Sequence, residues 1–137
     1  MKKIVLFFVV ITLASSFFSC RKKEKTEQDT RTSLLIRAPW LGDYYREFAN
    51  GQIDYEESLA GEILTFREDG TFSVRGGSED ADGQWRFIGE DSLEFHVAGD
   101  DPIRVHLDTL SDKVLKMSIQ ETDAGVLYRA EIRYYRD

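Results

Sequence analysis

The feature that most constrains the fold of this chain is a series of short apolar–polar alternations, each ended by a polar turn. Leu64 and Phe66 alternate with polar neighbours, and Asp69-Gly70 follows them. The alternation resumes at Phe72 and Val74. A period of two residues is that of a strand with one buried face, and a glycine after aspartate supplies the positive φ of a tight turn. This stretch predicts a β-hairpin with one apolar face.

The same pattern repeats to the end of the chain and predicts eight strands. They lie near 40–48, 64–67, 72–74, 84–87, 93–98, 103–108, 115–120 and 128–135. Eight short strands at regular spacing are typical of a sandwich or an up-and-down barrel. Consecutive hairpins without a long crossover close on themselves and remove exposed edges, which favours the barrel. We therefore predict an all-β protein with an eight-stranded up-and-down antiparallel β-barrel.

One segment between the first and second predicted strands leaves two alternatives open. Ile53, Tyr55 and Leu59 are spaced like one face of a short helix. A short helix between strands 1 and 2 would cover one barrel end. An irregular loop fits the same residues equally well.

The first 19 residues have the composition of an export signal. Lys2 and Lys3 precede an apolar run that is shorter than the roughly 20 residues of a membrane-spanning helix. Cys20, the single cysteine, follows Ser19. The segment resembles a bacterial lipoprotein signal, and this resemblance implies that Cys20 is lipidated and becomes the first mature residue. An uncleaved signal anchor and an ordinary secretory signal are the alternatives.

Charge and composition divide the rest of the chain into a tether and a domain. Residues 20–33 contain the lipidated Cys followed by polar residues alone, which predicts a flexible tether. Residues 34–137 are long enough for one barrel domain with its own core. The whole chain carries a net charge of -7, and its N-terminal part is net positive. The domain is therefore acidic, which argues against nucleic acid as a partner and limits membrane contact to the lipid anchor.

Several short motifs resemble the lipocalin-like domains of small Gram-negative bacterial lipoproteins. They are Leu41-Gly42-Asp43-Tyr44, Asp69-Gly70-Thr71-Phe72, Gly83-Gln84-Trp85 and Tyr134-Tyr135-Arg136. The resemblance implies a barrel that commonly serves as a binding module. In lipocalins a Trp of the first strand closes one barrel end beneath an Arg of the last strand. Here Tyr44 stands at that Trp position, with Trp40 upstream, so Tyr44 and Arg136 are the expected pair.

The sequence offers little support for an enzyme, a metal site or a cofactor. It contains no nucleophile elbow, phosphate loop, zinc-protease motif or dinucleotide fingerprint. Residues 78–83 resemble the start of a calcium loop, but its twelfth position is Gly89 instead of Glu. His96 would face Arg104 or His106 in a hairpin, and a zinc site needs three or four ligands. We read both stretches as solvated surface, and we expect a non-enzymatic protein without metal or cofactor.

A set of large side chains is predicted to point into the barrel. An eight-stranded barrel is just wide enough to be filled by side chains or to hold one small ligand. If these residues leave a cavity, they form an apolar ligand-binding site with one inward cation. The candidates are Tyr44, Arg46, Phe48, Phe66, Trp85, Phe87, Phe95, Met117, Tyr128 and Tyr134.

These observations predict a lipid-anchored binding module for a small apolar or amphipathic ligand. The expected location is the cell envelope, on the outer membrane, facing the periplasm or the cell surface. The alternative is an interaction or structural lipoprotein with a filled core, which binds an envelope protein or a glycan through its outer face or loops. A cavity well below about 300 Å³ would favour this alternative.

Overall fold

A computed structural model describes residues 27–137, which contain one helix followed by nine strands. The helix covers residues 27–36. Residues Leu34–Asp137 form one compact unit. The strands are β1 Trp40–Ala49, β2 Gln52–Ser58, β3 Ile63–Phe66, β4 Thr71–Arg75, β5 Ala81–Ile88, β6 Ser92–Val97, β7 Ile103–Leu110, β8 Val114–Asp123 and β9 Val126–Tyr135. The helix within the described range is not both long and apolar enough to cross a membrane.

The sheet closes into the predicted eight-stranded antiparallel barrel. From β3 to β9 each strand pairs with the next along the chain. β1 pairs with β9 from Leu41 to Ala49 and thereby closes the sheet. On its other side β1 pairs with β3 near Trp40 and with β2 from Tyr44 to Ala49, so β2 and β3 share one barrel position. β2 is thus the additional strand, and it is the edge of the sheet.

A turn over residues 59–62 separates β2 from β3. The Glu62 amide donates a hydrogen bond to the Leu59 carbonyl (2.9 Å). The turn passes directly over Gly42 of β1, where a Cβ atom would lie 2.7 Å from the Leu59 Cβ. Only glycine leaves room for this approach. The turn explains why the hairpin partner of β1 is split into two strands.

The core fills the end of the barrel at which β1 begins. Leu35 and Trp40 are completely buried there, and the Arg136 guanidinium lies over the Trp40 ring. Burial lowers the pKa of Arg136. We call this the closed end, and the opposite end, where β1 ends and β9 begins, the open end. The other buried apolar residues are Leu64, Phe66, Phe72, Trp85, Leu93, Val105, Leu107, Leu115, Met117 and Tyr134.

The segment between the first two predicted strands is neither a short helix nor an irregular loop, because residues Gln52–Ser58 form β2. Asn50 and Gly51 have φ values of 49° and 81°. Two consecutive positive φ angles fit a two-residue hairpin turn, for which Asn-Gly is the strongest sequence signal. The turn directs residues after it back along β1, where backbone hydrogen bonds outweigh the helix-like spacing of three apolar side chains. All seven β2 residues are exposed.

Residues 27–33, the described part of the segment predicted as a flexible tether, are helical. The segment has no apolar residue, so no amphipathic pattern marks it as a helix. Glu27 and Arg31 stand four residues apart, a spacing that favours helix formation. At the end of the helix Leu35 is completely buried, which fixes the last turn. Residues 20–26, the signal at 1–19 and Cys20 itself lie outside the described residues.

Candidate functional site

The open end of the barrel carries two rows of side chains on the face that also bears the core. Cross-strand partners in an antiparallel sheet share a face, so the strand register defines each row. The row nearer the core joins Glu57, Tyr45, Ile132, Met117 and Leu107. The outer row joins Tyr55, Glu47, Ala130 and Ile119. In each row the side chains on β1 and β2 are acidic or aromatic, and the side chains on β9, β8 and β7 are apolar.

An apolar cleft of about 180 Å³ lies on the apolar side of these rows. Its floor is Met117, which is buried, whereas Ile119 at its rim is 41% exposed. The cleft opens to solvent at the barrel end. Its lining residues are Tyr45, Val105, Met117, Ser118, Ile119, Ala130, Glu131 and Ile132. An open cleft with an apolar wall can accept part of a small molecule.

Two tyrosines and two glutamates adjoin the cleft on β1 and β2. We call Tyr45, Glu47, Tyr55 and Glu57 the quartet. The Tyr45 hydroxyl donates to Glu47 Oε1 (2.6 Å), and the Tyr55 hydroxyl donates to Glu57 Oε2 (3.2 Å). The two rings meet edge to face with their centres 6.3 Å apart. Each carboxylate accepts one of these hydrogen bonds, and its remaining oxygen lone pairs can accept others from a ligand.

The quartet also shifts the pKa of its tyrosines. Burial, followed by the hydrogen bond to Glu47, raises the pKa of Tyr45 to about 12. The hydrogen bond to Glu57 is the main cause of a raised pKa at Tyr55. The two shifts share a contribution from the neighbouring glutamate, because a phenolate beside a carboxylate would be repelled and would lose its hydrogen bond. Both hydroxyls therefore remain donors near neutral pH.

A separate ionic network covers the outer face of the same strands. Glu131 is buried there, accepting a hydrogen bond from the Tyr44 hydroxyl (2.8 Å) and pairing with Lys116 (3.1 Å). Arg129 lies 3.5 Å from Glu131 and 3.1 Å from Asp108. Burial by itself would raise the pKa of Glu131, but the hydrogen bonds from Tyr44 and Lys116 hold it below the usual value. The network ties β1, β7, β8 and β9 together.

Six of the ten predicted ligand-site residues belong to the core or pack against it. Phe66 and Trp85 pack edge to face with ring centres 5.3 Å apart. The Tyr134 hydroxyl donates to Glu62, and burial followed by this hydrogen bond raises its pKa. Met117 alone of the six also lines the cleft. The six are Phe66, Trp85, Phe87, Phe95, Met117 and Tyr134.

Tyr44, Arg46 and Phe48 do not point inward as predicted. A register shift between Gly42 and Tyr44 reverses the faces of β1, because one extra residue changes which side chains face the core. Arg46 lies 3.8 Å above the Tyr44 ring on the outer face and pairs with Glu56. The predicted pairing of Tyr44 with Arg136 is also wrong, since Trp40 occupies that position.

Tyr128 is on the inner face, as predicted, but lies beyond the cleft. It pairs with Ala49 and Glu121 in the row nearest the open end, and 41% of it is exposed. The alternation of residues after 128 in the sequence is sufficient to predict that Ala130 and Ile132 also lie on this face. Tyr45 and Glu47 could not be assigned to it, because the bulge in β1 has no clear sequence signal.

The stretches considered for metals make other contacts. Arg75 pairs with Asp82 at 2.7 Å and reaches Asp80 at 4.0 Å. His96 is the partner of Gln84, and His106 is the partner of Ser92, so neither of the two pairings considered for His96 is formed. Within residues 27–137 no group of three or more His, Cys, Asp or Glu side chains is arranged to hold a metal ion.

Comparison with known proteins adds no functional assignment. No model of a protein family matches this sequence, and no functionally characterised protein matches it significantly. The function must therefore be inferred from the barrel, its cleft and the residues beside it.

Proposed function

We propose that this domain is a non-enzymatic binding module that takes one apolar end of a small amphipathic ligand into the cleft at the open end. The observation that carries the proposal is an apolar cleft directly beside a polar, hydrogen-bonding quartet. Small-ligand sites combine apolar walls with a few placed polar groups in this way. Tyr45 belongs to both parts and joins them.

The size of the cleft limits what it can hold. About 180 Å³ is less than the roughly 300–1,000 Å³ of pockets that enclose a drug-sized ligand. It is close to the roughly 150 Å³ of an engineered apolar cavity that binds benzene. The cleft therefore accommodates one ring or a short alkyl chain, while the rest of the ligand lies over the quartet or in solvent.

The N-terminal sequence supports an envelope location for this module. A lipoprotein-type signal followed by Cys20 would attach the protein to a membrane, with the outer membrane as the expected site. Two or more acyl chains would make the attachment stable, whereas one chain gives marginal binding. If Cys20→Ser protein stays with membranes after washing with high salt, the lipid-anchor proposal is wrong.

The stacking of Arg136 on Trp40 supports a lipocalin-like relationship. It joins the first and last barrel strands at the closed end, as expected from the resemblance, although with Trp40 in place of Tyr44. The cleft of this protein lies at the opposite end of the barrel.

The binding proposal is tested by filling the cleft. Ala130→Trp adds a large ring inside the cleft, and Ala98→Trp adds the same ring in the exposed turn after β6. We expect N-phenyl-1-naphthylamine, an apolar fluorescent probe, to bind the parent and Ala98→Trp proteins alike. Ala130→Trp should weaken binding at least tenfold. Equal binding by all three proteins would exclude the cleft as the site.

A second candidate function is an interaction lipoprotein that binds an envelope protein or glycan. The cleft of about 180 Å³ is well below the roughly 300 Å³ at which the two functions were expected to separate, and this favours the interaction lipoprotein. The exposed edge strand β2 also favours it, since Ile53 and Tyr55 are each about half exposed. Unpaired strand edges can add a strand from another chain. This alternative predicts that Ala130→Trp leaves partner capture intact, while Tyr55→Pro in β2 abolishes it.

A further inference from the structure

We infer that the polar end of the ligand is an organic cation, an ammonium or guanidinium group, which the quartet receives. This inference rests on the proposed function, because it assigns the chemistry of the group that lies beside the occupied cleft. Two features support it: the negative charge of the quartet carboxylates, and the tyrosine rings beside them, of which the Tyr45 ring lines the cleft.

The carboxylates of the quartet differ from their neighbours on the other face of the same strands. On the outer face Glu56 pairs with Arg46, and Glu131 pairs with Lys116. Glu47 and Glu57 accept hydrogen bonds from tyrosine hydroxyls, and no Lys or Arg among residues 27–137 forms an ion pair with either. Two carboxylates beside the apolar cleft therefore have no Lys or Arg partner among the described residues.

The rings of the quartet suit a cation as well. An aromatic face attracts ammonium and guanidinium groups through its quadrupole. Tyr45 and Tyr55 meet edge to face, so their contact covers one face of one ring and no face of the ring that presents its edge. Carboxylate oxygens accept strong charge-assisted hydrogen bonds from the same groups. Rings and carboxylates together favour a cation over a neutral hydroxyl, and they repel an anion.

The strand register also sets the separation of the two ligand parts. Tyr45 is the direct partner of Ile132, and Glu47 is the direct partner of Ala130. Neighbouring strands lie about 4.7–4.9 Å apart, so the quartet on β1 and β2 is one to two strand spacings from the cleft wall. The charged group should therefore lie roughly 5–10 Å from the centre of the apolar end. A primary amine on a short alkyl chain satisfies this spacing.

The test compares three molecules with the same chain and different heads: octylamine, 1-octanol and octanoate. Binding to the full domain at pH 7 is measured by calorimetry below micellar concentrations. We expect octylamine to bind at least tenfold more tightly than octanol, and octanoate to bind more weakly than octanol. Equal affinity for octylamine and octanol would overturn the cation inference while leaving the proposed function in place.

Two matched double variants distinguish a local effect of the quartet carboxylates from an effect of the overall charge of the protein. Glu47→Gln/Glu57→Gln should reduce the preference for octylamine over octanol to about threefold or less, because the loss of affinity falls mainly on octylamine. Glu68→Gln/Glu90→Gln removes the same charge from exposed turns and should keep the full preference. If both double variants lose the preference for octylamine equally, the net charge of the protein causes that preference and the inference is wrong. If no alkyl compound binds the parent protein, the proposed function itself is wrong.

Discussion

The guanidinium carbon of Arg136 lies 3.4 Å from the centre of the Trp40 ring. The guanidinium also donates hydrogen bonds to the backbone carbonyls of Leu34 (2.7 Å), Leu35 (2.9 Å) and Ala38 (2.6 Å). The Trp40 indole N–H donates to the same Leu35 carbonyl (3.0 Å). One arginine from the C-terminal end of the barrel thus fixes the segment that leads into the first strand.

Arg136→Lys should destabilise the domain although it keeps the positive charge. Lysine cannot reproduce the planar fork that stacks on a ring and reaches three carbonyls at once. We expect a loss of about 1–3 kcal/mol in the free energy of unfolding, measured by urea denaturation. Arg104→Lys, at an exposed position on β7, is the control and should have little effect. Equal losses would show that the stacked geometry is unimportant.

Trp40 and Tyr44 should differ sharply in their contribution to stability. Trp40 is completely buried at the closed end, whereas Tyr44 is partly exposed on the outer face. Trp40→Ala should cost about 3–5 kcal/mol, because it leaves a large cavity. Tyr44→Ala should cost less than half as much under the same denaturation conditions. The opposite order would mean that Tyr44 closes the barrel end after all.

Glu131 should make stability depend on pH in the acid range. Its pKa is lower in the folded protein than in the unfolded chain, so its stabilising contribution is complete above the unfolded pKa of about 4.3. The contribution is lost as the pH falls through the folded pKa. The stability difference between the parent protein and Glu131→Gln should therefore be largest near neutral pH and shrink below about pH 4. A difference that grows on acidification would contradict the assigned direction.

Backbone amides of β2 should exchange with solvent faster than those of β9. Within residues 27–137 β2 pairs with β1 alone and is exposed throughout, whereas β9 pairs with both β1 and β8. Edge strands with few buried contacts open at low cost. Hydrogen–deuterium exchange followed by mass spectrometry compares peptides covering residues 52–58 and 128–134. Equal protection would indicate that β2 is stabilised by an additional partner.

The alternation of apolar and polar residues was sufficient to predict the barrel. Each of the eight predicted strands forms, because a period of two with a turn at each end is compatible with a half-buried strand and with little else. The pattern also predicted that Phe66, Trp85 and Tyr134 are buried in the core. Local residue patterns therefore determined strand identity and most of the core.

The same pattern could not identify the cleft. A single bulge between Gly42 and Tyr44 exchanges the two faces of β1, so it removes Tyr44 and Arg46 from the interior and brings in Tyr45 and Glu47. Nothing in residues 40–48 alone distinguishes these outcomes, since both faces of the strand carry aromatic and charged side chains. The missed β2 has a different origin, because Asn50-Gly51 was an available hairpin signal that the helix-like spacing obscured.

The amino-acid sequence alone specified an antiparallel barrel, eight of its nine strands and most of its core, because these depend on short-range periodicity and turn chemistry. The register of β1 against β9, the pairing of Trp40 with Arg136 and the quartet beside the cleft depend on partners far apart in the chain. Such partners meet only after the barrel closes. Closure therefore determines which side chains form the proposed site, while periodicity determines that a barrel exists to hold them.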